Sequence, residues 1–198
     1  MSINAMNDLI DSVVAFQDCL KKEGIPVMAI GGIAVAVWGE PRLTRDIDMK
    51  VMVSRENRGQ LLAILRAFTP LQEDSDESFR RLGLAFFRDS NGVRIDVMLA
   101  DTIFDETAIG RARDIAFIPG KSVRVCTAED LIIYKMLSTR TKDRADVESV
   151  VQKQGDALDD AYIENWLAQF EEALADSTLI RDFRKIREIR TMQSKTDH

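Results

Sequence analysis

The chain has 198 residues, 45% of them hydrophobic and 30% charged, which is enough apolar material for one generous domain or a core with a small helical appendage. A formal net charge of −6 gives no general attraction for nucleic acid. No apolar run approaches the ~20 residues of a membrane span, so no membrane association is expected. The single histidine is His198, the last residue, so histidine-based acid–base or metal chemistry is not expected and carboxylates must take those roles. Cys19 and Cys126 form no spaced pair, which argues against a disulfide framework or a zinc site. Asp8, Asp11 and Asp18 interrupt the apolar start and no basic leader precedes it, so the reading is a cytoplasmic protein of bacterial type.

Leu9, Val13, Phe16 and Leu20 recur at helical spacing and predict a helix from about Asp8 to Glu23, with Gly24 as its stop. Val27 to Ile30 reads as a short buried strand, followed by the glycine pair Gly31-Gly32 and a small-residue helix from Ile33 to Trp38. A second strand is predicted from Asp46 to Val53, then a helix from an N-cap at Ser54 to about Phe68. Thr69 to Ser78, with Glu73, Asp74, Asp76 and Glu77, reads as a mobile acidic loop. Leu84 to Arg88 and Val93 to Leu99 flank Asp89-Ser90-Asn91-Gly92, a strong hairpin signal because Asn-Gly suits a tight turn with positive φ. On the second arm Arg94, Asp96 and Met98 face one way and Ile95, Val97 and Leu99 the other. A weaker strand pair, Ile115 to Ile118 and Val123 to Cys126, surrounds Pro119-Gly120.

Thr127 to Asp130 reads as the cap of a helix to about Ser138. Further helices are predicted from about Asp143 to Gln154, stopped by Gly155, and from Asp160 to Ala175. The tail carries Arg181, Arg184, Lys185, Arg187 and Arg190, read as a solvated helix face. The fold class is therefore α/β (α+β): a mixed β-sheet core flanked by helices over residues 1–126, and a helical region over 127–198.

The chemistry concentrates between residues 29 and 51. Asp46 and Asp48 are two apart on a strand and so point to one side, where their shared negative charge calls for cations. Divalent metals with oxygen ligands meet that need. A glycine pair opening a helix offers backbone N–H groups to a phosphate. Asp96 lies in an otherwise apolar strand, and a charge there needs a partner or a function. If that strand neighbours the one bearing Asp46 and Asp48, three carboxylates converge, a set that can hold two Mg²⁺ ions for in-line phosphoryl displacement. The bland alternatives are an ion pair of Asp46 with Arg42 or Arg45, and one of Asp96 with Arg94 or Arg88. For Asp143 and Asp146 the favoured reading is a solvated helix face, and for Lys135 an exposed helix residue is as good a reading as a functional one.

Gly31-Gly32, a helix, Arg42-Leu43-Thr44-Arg45-Asp46-Ile47-Asp48 and then Asp96 on a later strand resemble the nucleotidyltransferase superfamily that includes DNA polymerase β. Within it the likeness is to AbiEii/AbiGii-type and minimal nucleotidyltransferases, which include toxins of toxin–antitoxin systems. Glu129 to Lys135, followed by Arg140, Lys142, Asp143 and Asp146, is similar to that branch's helical Lys…Arg-x-Lys-Asp…Asp segment. The resemblance spans about residues 27 to 150 and implies a nucleotidyltransferase-type sheet. It implies that Asp46 and Asp48 bind both Mg²⁺ ions, with Mn²⁺ as a substitute. Asp96 then binds the catalytic metal and helps deprotonate the attacking hydroxyl. Gly31, Gly32, Arg42, Thr44, Lys135 and Arg140 meet the nucleoside triphosphate, ATP among the candidates, and Lys135 is also catalytic, stabilising charge on the pyrophosphate leaving group with Arg140 as helper. The implied partners are that triphosphate, an acceptor hydroxyl on tRNA, a protein or a small molecule, and a toxin or antitoxin protein. Gly32 stands where many members carry serine, a departure that bears on substrate choice. The alternative is a non-catalytic nucleotide- or partner-binding module, an antitoxin or regulator, that keeps the fold.

Overall fold

The computed structural model describes residues 3–54, 56–71, 75–138 and 140–196. His198, and Glu73 and Asp74 of the acidic stretch, lie outside the described residues. Two compact units divide the chain: Met1–Ile33 with Leu43–Cys126, and Ala34–Arg42 with Thr127–His198.

The first unit is built on a mixed sheet of β1 (Val27–Ala29), β2 (Asp46–Val51), β3 (Thr69–Pro70), β4 (Leu84–Arg88), β5 (Arg94–Leu99), β6 (Arg113–Ile118) and β7 (Lys121–Val125). The spatial order is β3-β4-β5-β2-β1-β7-β6. Along β2 and β5 every second residue is buried, the period-two pattern of strands with one face on a core. Ile47, Met49 and Val51 of β2 and Ile95, Val97 and Leu99 of β5 form that buried face. Helix α1 (Ile3–Lys22) packs on β1, β2 and β7 and buries Ile10, Val13, Phe16 and Leu20. The Phe16 and Phe68 rings meet at 5.3 Å between centroids. β2 and β5 run parallel, with Asp46 beside Arg94 and Asp48 beside Asp96. The β4–β5 hairpin is antiparallel and turns through Gly92, whose φ of +78° is the positive value Asn-Gly turns require.

Two local expectations are corrected here, and one helix is added. Ser54 does not cap a helix: its carbonyl accepts the Asn57 N–H in a turn, and α3 (Arg58–Leu65) begins after Asn57. The acidic stretch is no loop beyond Ser75, because α4 (Ser75–Leu82) folds there around the fully buried Phe79. A helix without a predicted counterpart, α5 (Ile103–Arg111), starts at Thr102, whose hydroxyl accepts the Asp105 N–H.

The second unit is helical. It takes in the end of α2 (Gly31–Trp38), which the division crosses, then α6 (Ala128–Met136), α7 (Thr141–Gln154), a 3₁₀ turn at Gly155–Ala157, α8 (Asp160–Leu174) and α9 (Leu179–Thr196). Thr127 caps α6 by accepting the Asp130 N–H, as its position before Glu129 and Asp130 predicts. The basic tail is not simply a solvated face: α9 buries Phe183 and Ile186. Its arginines pair with acids of α8 and the preceding turn, Arg184 with Glu164 at 2.6 Å, Arg187 with Asp160 at 2.9 Å and Arg190 with Asp156 at 2.5 Å. Among the described residues no helix is long and apolar enough to cross a membrane.

Candidate active site

Parallel pairing of β2 with β5 carries the three aspartates onto one face. Register partners in a sheet project to the same side, so Asp48 and Asp96 stand next to each other and Asp46 follows one pleat repeat away. All three are half-buried, on the face opposite the core. Thr44 is buried at the entrance to β2, its hydroxyl 3.0 Å from Asp46 Oδ1 and 3.1 Å from the Asp46 carbonyl oxygen.

The glycine pair lies against this strand. Ile30 donates its N–H to the Asp48 carbonyl at 2.9 Å, which brings Gly31 alongside Asp48. Gly31 has φ +56°, and a Cβ there would overlap the Asp48 carboxylate, 2.6 Å from its Cγ. At Gly32 a Cβ would sit 2.5 Å from Thr44 Oγ1. Both positions are glycine because residues of the carboxylate-bearing segment fill the space a side chain would need. Gly31→Ala is expected to lose roughly 1–2 kcal/mol from the left-handed backbone alone and to push the Asp48 carboxylate aside. Urea unfolding and the chemical shifts of Asp48 check both effects.

Asp96 is engaged by its own strand. Arg94 forks onto it, Nε to Oδ1 at 2.6 Å and Nη2 to Oδ2 at 3.0 Å. The guanidinium carbon lies 4.8 Å from the centre of the Phe86 ring, within cation–π range. The hydrogen bonds that Arg94 donates to Asp96 push the Arg94 pKa up, and the charges of Asp96, Asp46 and Asp48 add to that against the effect of burial. One cation thus feels all three carboxylates. Among the described residues no three acidic, histidine or cysteine side chains already enclose a point suited to a metal ion. Further along the same face of β2, Lys50 pairs with the buried Asp105 at 2.7 Å, an ion pair the sequence reading did not contain.

A second charged cluster lies within the helical unit. Lys135 is 7% exposed, and its ammonium donates to Asp143 at 2.5 Å and to Asp146 at 2.7 Å. Arg42 forks onto Asp146 at 2.6 and 2.8 Å, and Arg140 and Ser138 each donate to Asp143 at 2.6 Å. One expectation fails here, since Asp143 and Asp146 are buried rather than a solvated face, and of the two readings of Lys135 the exposed one is removed. Asp143 and Asp146, set among Lys142 and Arg144, read as surface in the sequence. What signals burial is their phase, since Asp143 and Asp146 share a helix face with Val147 and Val150.

Burial pushes the Asp143 carboxyl up, but the hydrogen bonds from Lys135, Ser138 and Arg140 outweigh it and hold its pKa at about 2. Asp146 is lowered in the same way, with Arg42 and Lys135 opposing burial. A carboxyl depressed in the folded state stabilises it above the unfolded value of about 4, and that contribution is lost as pH falls from there toward 2. Melting temperature is therefore expected to drop steeply between about pH 4 and 2, with a shallower slope in Asp143→Asn.

Comparison with known proteins adds to this geometry. A family described as "Nucleotidyl transferase of unknown function (DUF2204)" matches residues 10–183. No curated protein is significantly similar to the chain in sequence. The fold is similar to the solution structure of the antibiotic-resistance factor ANT(2″)-Ia, with a TM-score of 0.55 and 16% identity over 86% of this chain and 94% of that one. A crystal structure of ANT(2″)-Ia in complex with adenylyl-2″-tobramycin gives a TM-score of 0.53 and 19% identity over 84% of this chain and 97% of that one. An antigenic nucleotidyltransferase-like protein from Paracoccidioides brasiliensis gives a TM-score of 0.51 and 15% identity, covering 90% and 93% of the two chains.

Proposed function

The chain belongs to the nucleotidyltransferase family whose model covers residues 10–183, and on that premise we propose that it moves an NMP group from an NTP to an acceptor hydroxyl with release of pyrophosphate, using divalent metal held by Asp46, Asp48 and Asp96. The observation that carries this reading is the parallel register Asp48↔Asp96, with Asp46 on the same face and Gly31 pressed against the Asp48 carboxylate. The donor set fits the group: three hard oxygen ligands suit Mg²⁺, or Mn²⁺ in its place, and nothing softer is offered. When bound, such ions polarise phosphoryl oxygens and neutralise developing charge.

The residues of the chain have distinct parts in the proposal. Gly31 and Gly32 open a helix and offer backbone N–H groups to the phosphates, their lack of a side chain permitting close approach. Thr44 donates its hydroxyl to the Asp46 carboxylate and itself lies against Gly32. Asp96, once separated from Arg94, is the carboxylate placed to accept the proton of the acceptor hydroxyl. Lys135 spends two of its three N–H donors on Asp143 and Asp146, so its part is to hold that cluster. Arg42 and Arg140 retain partial exposure, 36% and 63% of their side chains, and present positive charge to an anion.

The acceptor is an RNA 3′ end, a protein hydroxyl or a small molecule, and a toxin–antitoxin setting in the cytoplasm accompanies the first two. ANT(2″)-Ia, seen with adenylyl-2″-tobramycin, supports the third by fold likeness. Mass spectrometry of tRNA, whole-cell protein and aminoglycosides after incubation with each NTP and Mg²⁺ tests the proposal. A mass gain of one NMP on one class, with pyrophosphate released, is the expected result. A non-catalytic binding module is favoured by one observation, the Arg94 fork that neutralises Asp96. That reading predicts nucleotide binding and no pyrophosphate under any acceptor.

A further inference from the structure

We propose that Arg94 is a resident counter-cation that competes with divalent metal for Asp96, so that the site loads metal fully only when a polyphosphate arrives. This inference rests on the metal site proposed above. The carboxylates of Asp46, Asp48 and Asp96 share one face, and like charges so arranged repel unless a cation stands among them. In this chain the cation is built in. Arg94 is the register partner of Asp46 on the neighbouring strand and sits two residues before Asp96 on the same strand, so both spacings bring its guanidinium to that face.

Both oxygens of Asp96 are taken by two charge-assisted bonds in a planar fork, the geometry in which arginine binds carboxylate best. Phe86, the register partner of Asp96 on β4, backs the guanidinium and disfavours its departure. A hydrated divalent ion arriving alone must therefore displace two bonds and the stacked cation to gain Asp96. An ion arriving with a triphosphate brings several further anionic oxygens, which hold the metal from the other side and supply new negative charge for Arg94. Metal and nucleotide are then coupled binders, each raising the affinity of the other.

Mn²⁺ binding followed by electron paramagnetic resonance, with and without a non-hydrolysable NTP analogue, reads this coupling without reference to turnover. In the wild-type protein Mn²⁺ binds weakly alone and about tenfold or more tightly with the analogue. In Arg94→Gln, affinity for Mn²⁺ alone rises to near the wild-type value with analogue, and the enhancement by nucleotide shrinks toward one. Arg94→Lys keeps the charge but cannot fork, so it is expected to bind Mn²⁺ alone several-fold more tightly than wild type. Unchanged Mn²⁺ affinity in both variants overturns the proposal, and a rise in Arg94→Gln without one in Arg94→Lys reduces it to long-range charge and overturns the competition. Thermal melts confirm that each variant is folded before binding is compared. Asp48→Asn separates the two levels of argument. If Mn²⁺ binding survives it unchanged, the metal site itself is misplaced. If it is lost there while the Arg94 variants bind like wild type, only the competition fails.

Discussion

Asp48→Asn is expected to lower nucleotidyl transfer by about a thousand-fold or more and to leave the fold intact. Asparagine keeps the volume and the contact with Gly31 but removes the charge on which cation binding depends. Metal ions at phosphoryl oxygens contribute several kcal/mol of transition-state stabilisation, and each ~1.4 kcal/mol is a factor of ten in rate. Stability moves the other way, because Asp48 stands beside Asp96 and on the same face as Asp46, where like charges repel. Neutralising one of three converging carboxylates relieves repulsion, so the melting temperature of the metal-free variant is expected to hold or rise. Turnover near the wild-type level, or a collapse of the fold, contradicts the role assigned to Asp48.

Lys135→Ala is expected to be the most destabilising single change in the helical unit, by about 3–5 kcal/mol. Its ammonium lies between two buried carboxylates, and removing one partner of a buried ion pair leaves charge without compensation. Arg42 and Arg140 still reach Asp146 and Asp143, which limits the loss but does not fill the gap between the carboxylates. In urea the unfolding midpoint falls accordingly. The double variant Lys135→Ala with Asp146→Asn recovers part of the loss, since one uncompensated charge is gone and neighbouring sites couple. If Lys135→Ala unfolds within about 0.5 kcal/mol of wild type, the range of an ordinary surface change, the cluster is not structural.

The carboxylate face was legible because strand periodicity is short-range. Asp46 and Asp48 at spacing two, and Arg94, Asp96 and Met98 opposite Ile95, Val97 and Leu99, fix which residues share a side before any partner strand is known. What the sequence could not state was the parallel neighbourhood of β2 and β5, which joins residues nearly fifty positions apart. The Gly31 contact is of the same kind: positive φ belongs to the glycine, but the occupant of its missing side chain is Asp48. Thr127 announced its helix through local capping chemistry. Ser54 offered the same signal and lost it to a turn that delays the helix to Arg58.

The larger misreadings concern polar residues whose partners are remote in sequence. Asp143 and Asp146 look solvated until Lys135, Arg140 and Arg42 are brought to them. The α9 face is solvated at Arg181 and Arg184 as read, but its pairing of Arg184 and Arg187 with Glu164 and Asp160 of α8 was not legible. The acidic stretch looked like a loop because its charged run hid Phe79, the one apolar anchor of α4. At Asp143 and Asp146 tertiary pairing overrides a composition-based reading, as expected where burial of charge is compensated by specific partners.

Paramagnetic broadening of backbone amide signals by Mn²⁺, recorded with a non-hydrolysable NTP analogue, tests the central claim most directly because it needs no knowledge of the acceptor. The account predicts loss of signal centred on Gly31, Gly32, Asp46 to Asp48 and Arg94 to Asp96, absent in Asp48→Asn. Broadening centred elsewhere, for example on the acidic residues around Asp76 and Glu77, with those signals untouched, contradicts it.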